Sequence, residues 1–352
     1  MRGERVLPGR PPGPRRRKSF LAEHLPALED DAALTREQRY VREAMETLVK
    51  LLRDGTRLGD VKLLNAALRE LRYAFKVFAP YRGVRKVSVF GSARTRPSEA
   101  AYRTASEFAR RITGEGYMVI TGAGSGIMAA AQEGAGAERS FGVNIRLPFE
   151  QEPNEFIIKD PKLTTFRYFF TRKLIFIKEA DAAALFPGGF GTLDEGYECL
   201  TLVQTGKTKP MPIVFVDSPR GTYWKTWKQY VEDHLLRQRL ISKEDMSLFK
   251  VTSSVDEAVA EIAGFYRVYH SARSVGPLLV IRLNHALPPA LVAALTKDFA
   301  DIAVAGEMTQ RPAFEEEDDE PELAHLPRLA FQFDRTHFGR LRQLIDRLNR
   351  DG

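Results

Sequence analysis

Pro187-Gly188-Gly189-Phe190-Gly191-Thr192-Leu193-Asp194-Glu195 is the stretch that decides the fold. The apolar run Ala182 to Phe186 before it reads as a strand, and Glu195 to Gln204 after it reads as a helix. Three glycines at a strand-to-helix turn let the backbone approach a ligand closely and take positive φ where the turn needs it. The free N–H groups of the helix start, together with the helix dipole, make an anion site suited to phosphate. Glu195, read in the first helical turn, faces whatever the loop holds. A phosphate cradle beside a fixed carboxylate points to chemistry on a phosphorylated substrate.

Outward from this motif the chain alternates strand and helix, the mark of a parallel α/β sheet. Lys86 to Phe90 reads as the first strand and ends in Gly91-Ser92-Ala93-Arg94. A helix on Tyr102, Ala105, Phe108 and Ile112 leads to a second strand, Tyr117 to Thr121, which runs into Gly122-Ala123-Gly124-Ser125-Gly126-Ile127-Met128. A short helix, a third strand at Phe141 to Ile145, an extended loop and a helix near Phe169 to Glu179 come before the motif. A strand at Pro212 to Val216 and helices up to about Tyr269 follow it. The expected fold is therefore a Rossmann-like open parallel sheet with helices on both faces. Its glycine-bearing loops fall at the C-terminal ends of strands, where such sheets bind ligands.

Flanking this region, residues 1–34 read as a basic tail and residues 35–82 as a helical hairpin. The hairpin opens with the capping-box pattern Thr35-Arg36-Glu37-Gln38, and Gly55 and Pro80 close its two helices. Residues 83–272 form the nucleotide-binding unit, and 277–352 a small α+β unit with strands at Leu278–Leu283 and Leu329–Phe333. The acidic run Glu315 to Glu320 inside that last unit reads as a solvated loop.

Composition narrows the function classes. Of the net charge of +7, residues 1–18 carry +6, so the rest of the chain is close to neutral. Nucleic-acid binding is thus not expected beyond weak, non-specific contact through the tail. No apolar run approaches the ~20 residues that span a bilayer. The single cysteine, Cys199, excludes an internal disulfide and fits a reducing, cytoplasmic setting. The six histidines show no metal-ligand spacing, and neither a GxSxG elbow nor a GKS/T phosphate loop is present.

Gly122, Gly124 and Gly126 invite a dinucleotide reading, but the fingerprint needs its third glycine three residues after the second. The ribose-binding acid expected at the end of the next strand is also missing, for that strand ends Asn144-Ile145-Arg146. A contact to the phosphate or ribose of a mononucleotide is the better reading, with a ligand-free turn as the alternative. Arg172 and Lys173 stand among Phe166, Tyr168, Phe169, Phe170, Leu174 and Phe176, which suggests a cleft rather than a solvated face. An arginine fork there suits phosphate or ribose hydroxyls and could pair with Glu195.

The PGGFGTLDE motif, with Arg172-Lys173 upstream of it, resembles the Lonely Guy (LOG) family. Its members are cytokinin-riboside or nucleotide 5′-monophosphate phosphoribohydrolases, long mislabelled as lysine decarboxylases. The resemblance covers roughly residues 85–265. It implies a catalytic pair, Glu195 and Arg172, and a phosphate-binding turn at Gly188, Gly189, Gly191 and Thr192. It extends substrate contacts to Lys173, Gly91, Ser92, Arg94, Gly122, Gly124, Gly126, Met128 and Asn144. It calls for no metal and no cofactor, and it suggests a homodimer or larger homo-oligomer. The expected reaction is hydrolysis of the N-glycosidic bond of a nucleoside 5′-monophosphate, AMP-like or N6-modified; a non-catalytic nucleotide sensor or carrier is the alternative. Two departures stand out. Phe169-Phe170-Thr171 replaces the family's usual Met-His-Glu, which bears on substrate choice, and the added flanking segments resemble longer bacterial nucleotide nucleosidases.

Overall fold

The computed structural model describes residues 34–147 and 152–352, so the basic tail expected at the N-terminus lies outside the described residues. The chain divides into two compact units, one ending at Ala66 and the other spanning Ala67–Gly352. In the first lies α1 (Arg36–Arg53), opened by the expected capping box: the Thr35 amide donates to Gln38 Oε1 at 2.9 Å, and Thr35 Oγ1 accepts from the Gln38 amide at 3.3 Å. Helix α2 (Leu58–Phe78) runs from the first unit into the second.

The second unit is built on a seven-stranded, wholly parallel sheet. Its strands are β1 (Lys86–Phe90), β2 (Met118–Thr121), β3 (Ser140–Ile145), β4 (Leu163–Phe166), β5 (Ala182–Leu185), β6 (Ile213–Val216) and β7 (Phe249–Thr252), in the order β4-β3-β2-β1-β5-β6-β7. The helices α3 (Ala100–Gly114), α4 (Ile127–Ala135), α5 (Phe169–Lys178), α6 (Phe190–Gln204), α7 (Tyr223–Tyr230) and α8 (Val255–Phe265) accompany these strands. Successive strand residues point to opposite faces, which assigns the core. Val87, Val89, Ala182 and Ala184 pack with α3, α4 and α8, while Phe90, Ala183 and Leu185 pack with α5 and α6 on the other face. Both faces are covered, so β1 is buried along its whole length.

The order reverses at β1, which pairs with β2 on one side and β5 on the other. That is the topological switch point, and the crevice beyond it is where open α/β sheets hold ligands. Three glycine-bearing loops meet there: Gly91 after β1, Gly122 after β2 and Gly188 after β5.

A second, antiparallel sheet has the order β10-β11-β9-β8, with β8 (Tyr269–Val275), β9 (Leu278–Leu283), β10 (Ala303–Arg311) and β11 (Arg328–Phe333). Helices α9 (Pro289–Asp298) and α10 (Phe338–Asp351) pack with it. This sheet starts at Tyr269, earlier than expected.

Further sequence expectations need correction, beginning with strand β7, which lies in a stretch read as helices alone. Residues 163–166, read as part of an extended loop, form edge strand β4. The acidic run is not simply solvated: Glu317 is buried, accepting from Arg282 Nη2 at 2.7 Å and Arg328 Nε at 3.1 Å. Both arginines are themselves buried, so the pairing compensates their charge and ties the run to β9 and β11. Finally, α6 begins at Phe190, five residues earlier than the sequence suggested, which places Glu195 in the second turn.

Candidate functional site

The early start of α6 explains where Glu195 points. Thr192, Glu195, Gly196, Cys199 and Val203 recur at helical spacing and form the buried stripe of the helix. A carboxylate thus occupies a position that an apolar side chain would ordinarily take. Gly196 brings the helix close, since a Cβ there would stand 2.8 Å from Leu185 Cδ2 of β5.

At the turn itself the N–H groups of Thr192 and Leu193 bond back to the Gly189 carbonyl at 3.0 and 3.1 Å. The amides of Phe190 and Gly191, first in the helix, have no intrahelical acceptor by geometry. An added Cβ on Gly189 or Gly191 would meet no atom within 4 Å, and both residues are exposed, so this side of the turn is open. Gly188 is different: a Cβ would collide with Thr192 Oγ1 and stand 3.0 Å from the Ser92 amide. None of the motif glycines has positive φ, so close approach, not left-handed backbone, is why glycine is needed at Gly188. Left-handed conformations occur instead in the loop after β2, at Ala123 (φ 60°) and Gly126 (φ 65°).

The three loops are laced together. The Ser92 amide donates to the Pro187 carbonyl at 3.1 Å, the Ile127 amide to the Ser92 carbonyl at 3.0 Å, and Ser125 Oγ to the Ala93 carbonyl at 2.8 Å. A Cβ on Gly91 would lie 2.6 Å from Ile127 Cβ. Gly91, Ser92, Gly124, Gly126 and Met128 therefore belong to one packed rim. Arg94 is exposed beside it, its amide bonded to Ser92 Oγ at 3.1 Å.

From the opposite side α5 delivers Arg172 and Lys173. Arg172 Nε donates to the Val143 carbonyl of β3 at 2.8 Å, and its Nη2 lies against Gly122, where any side chain would displace it. Burial pushes the guanidinium down to about 10, and Glu195 pulls the other way. The sequence left open a pairing of Arg172 with Glu195; the ion pair is made by Lys173, whose Nζ lies 3.5 Å from Glu195 Oε2. The same ammonium reaches Asp194 Oδ2 at 2.8 Å and Glu198 Oε2 at 2.5 Å. Burial pushes Lys173 down, but the bonds to Asp194 and Glu198 outweigh it and hold the ammonium above its ordinary range.

Glu195 is 7% exposed, and its Oε2 accepts no hydrogen bond. Burial raises its carboxyl above the ordinary range, while Lys173 and Arg172 pull it back down. A buried acceptor without a donor is costly and uncommon, and a catalytic role is one of the reasons a protein keeps such an atom.

The expected aromatic cleft is only half enclosed. Phe166 and Phe176 are buried, whereas Phe169, Phe170 and Leu174 stand about half exposed on α5, and Phe190 at the head of α6 is 92% exposed. Asn144, the residue after Val143, lines a cavity of about 200 Å³ with Arg146, Glu152 and Thr165.

Three supporting residues gave no signal in the sequence. Tyr223 Oη donates to the Gly188 carbonyl at 2.6 Å and latches the turn. Asn154 donates to the Gly124 carbonyl at 2.8 Å. Glu70, on α2, accepts from the Arg167 amide at 2.9 Å and from Thr171 Oγ1 at 2.7 Å, tying down the start of α5. Thr171 is thus turned into the scaffold. Among the described residues no group of three or more His, Cys, Asp or Glu is placed to hold a metal ion, and no helix is long and apolar enough to cross a membrane.

Residues 126–262 match the family described as "Possible lysine decarboxylase", a span that holds Arg172, Lys173 and the whole glycine motif. No curated protein matches the chain. Among solved structures it is similar to the molybdenum cofactor binding protein of Rippkaea orientalis, with 17% identity over 50% of this chain and 93% of that one, at a TM-score of 0.35. It is similar also to the Moco carrier protein of Chlamydomonas reinhardtii, with 19% identity over 50% and 94%, at 0.36. DNA processing protein A of Helicobacter pylori is similar at 12% identity over 50% and 78%, at 0.35.

Proposed function

We propose, for a chain whose residues 126–262 match the family described as possible lysine decarboxylase and whose glycine motif resembles that of the LOG proteins, that it hydrolyses the N-glycosidic bond of a nucleoside 5′-monophosphate to free base and ribose 5-phosphate. The observation that carries this reading is Glu195: a buried carboxylate with one oxygen unbonded, in the helix that begins at an open glycine turn. The 5′-phosphate occupies the space over Gly189 and Gly191 and accepts from the amides of Phe190 and Gly191. Its binding energy, remote from the reacting carbon, holds the sugar in place. Arg172, fixed by the Val143 carbonyl, faces the ribose or its phosphate.

Cleavage breaks the bond between C1′ and the base nitrogen, and the electron pair leaves with the base. Glu195 stabilises the positive charge that develops on C1′ and the ring oxygen. Water supplies the oxygen that bonds to C1′. Its proton passes to Glu195, which returns it to the departing base.

Purified protein is incubated with AMP, GMP, CMP, UMP and isopentenyladenosine monophosphate, and free base is followed by chromatography. Glu195→Gln should retain nucleotide binding and lose at least about a hundredfold in turnover. Undiminished turnover in that variant removes Glu195 from the reaction. Nucleotide that is bound and never cleaved by the native protein makes it a binding protein, sensor or carrier.

A further inference from the structure

We infer that Lys173 and Glu198 are positioning residues for Glu195: Glu198 and Asp194 hold the Lys173 ammonium just short of hydrogen-bonding engagement with the buried Glu195 Oε2, so that the cation sets the charge and orientation of the carboxylate without bonding it. This rests on the reading of Glu195 as the reacting carboxylate, and it withdraws Lys173 from the substrate-binding groups.

The geometry is specific. Lys173 Nζ stands 2.5 Å from Glu198, 2.8 Å from Asp194 and 3.5 Å from Glu195. An ammonium has three donors, and the two short contacts, to Glu198 and Asp194, occupy two of them and fix where the cation sits. Glu195 Oε2 therefore receives the field of the cation without a donor and stays unbonded although buried. Glu198 lies one turn beyond Asp194, so both acids reach the same cation from one helix. The Lys173 side chain is 15% exposed and that of Glu198 31%, which leaves the pair only partly screened by solvent.

The groups acting on Glu195 are few. Arg172 and Lys173 on α5 favour its ionised form, and Glu198 and Asp194 on its own helix oppose it. Cys199, one turn on, is buried and its thiol is pushed above its usual range, so it stays neutral. Each substitution therefore has a definite sign. Glu198→Gln removes a like charge and frees Lys173 to bond Glu195, so the Glu195 titration moves to lower pH. Lys173→Gln removes the attracting cation, so it moves to higher pH. One neighbouring charge at this range shifts a carboxyl by about one pH unit.

The test is a ¹³C-carboxyl NMR titration of protein labelled at glutamate. The Glu195 resonance is identified by its loss in Glu195→Gln, and circular dichroism checks the fold of each variant. Movement of the Glu195 midpoint down in Glu198→Gln and up in Lys173→Gln supports the assignment. Midpoints that stay put or move together overturn it. If base is released, the acid limb of kcat/KM follows the same two shifts, and Glu198→Gln loses about tenfold at neutral pH because Lys173 now bonds the carboxylate and turns it from its position. Opposite NMR shifts in a protein that cleaves no nucleotide uphold the positioning roles while the hydrolase reading fails, so the two ideas are judged separately.

Discussion

Replacing Gly191 by alanine should move stability and ligand affinity in opposite directions. Gly191 is the second residue of α6, its φ is not positive, and an added methyl meets no atom within 4 Å. Alanine in place of glycine in a helix contributes roughly 0.5–1 kcal/mol, less at the first turn than in the interior. For a unit of this size that raises Tm by about 1–3 °C. The methyl nevertheless enters the open space over the turn, where the phosphate oxygens are proposed to sit. Loss of one charge-assisted hydrogen bond costs about 1.5–3 kcal/mol, or roughly 10- to 150-fold in Kd. Calorimetric titration with AMP reads this loss, and adenosine, which lacks the phosphate, serves as control. The reasoning predicts a slightly more stable protein that binds AMP at least about tenfold more weakly and adenosine unchanged. AMP affinity equal to the native value, or equal losses for AMP and adenosine, refutes the phosphate cradle. Gly188 cannot serve as the probe. Its Cβ would stand 2.7 Å from Thr192 Cβ and 3.0 Å from the Ser92 amide, so Gly188→Ala should cost about 1–3 kcal/mol through crowding alone.

Two further expectations concern buried charge and the thiol. Burial pushes the Glu317 carboxyl up, but bonds from Arg328, the Phe314 amide and Arg282 outweigh it and carry it down to about 2. Its folded value lies below the unfolded one, so its stabilisation is full above the ordinary carboxylate range and fades as pH falls towards about 2. Glu317→Ala strands two buried arginines and should cost roughly 3–5 kcal/mol at pH 7 by urea denaturation, with a narrowing gap by acid pH; a loss below about 1 kcal/mol at pH 7 would contradict the pairing. Cys199 is 1% exposed, so in the native protein it should react with a thiol reagent at least ~100-fold more slowly than in the unfolded chain. Rapid native labelling would show that α6 opens away from the sheet.

Much of the fold was legible because its signals are local. An apolar strand followed by a glycine turn is visible without knowing any partner, so β1, β2, β3, β5 and β6 fall where expected, and β1 coincides with the run Lys86 to Phe90. β4 escaped notice because Leu163-Thr164-Thr165-Phe166 is short and half polar, and only the edge of β3 makes it a strand. β10 was hidden by register shifts between Ala303 and Thr309, which break its alternation. The start of α6 was misplaced because glycine at two of the five residues from Gly189 to Leu193 suppresses local helix propensity.

The sequence by itself determined the chemistry available: a glycine turn after a strand with a carboxylate in the following helix, and an Arg-Lys pair upstream, each carried by a short local run of residues. Only the tertiary structure decided how those groups meet. Burial against β5 places Glu195 on the inner stripe of α6, and the approach of α5 puts Lys173, rather than Arg172, in the ion pair with it. Latches from distant segments, Tyr223 on Gly188 and Glu70 under Thr171, fix the turn and the start of α5. Spacing along a chain specifies which face of its own element a side chain occupies. The partner it meets across 22 residues or 101 depends on how the elements pack, and no local pattern encodes that.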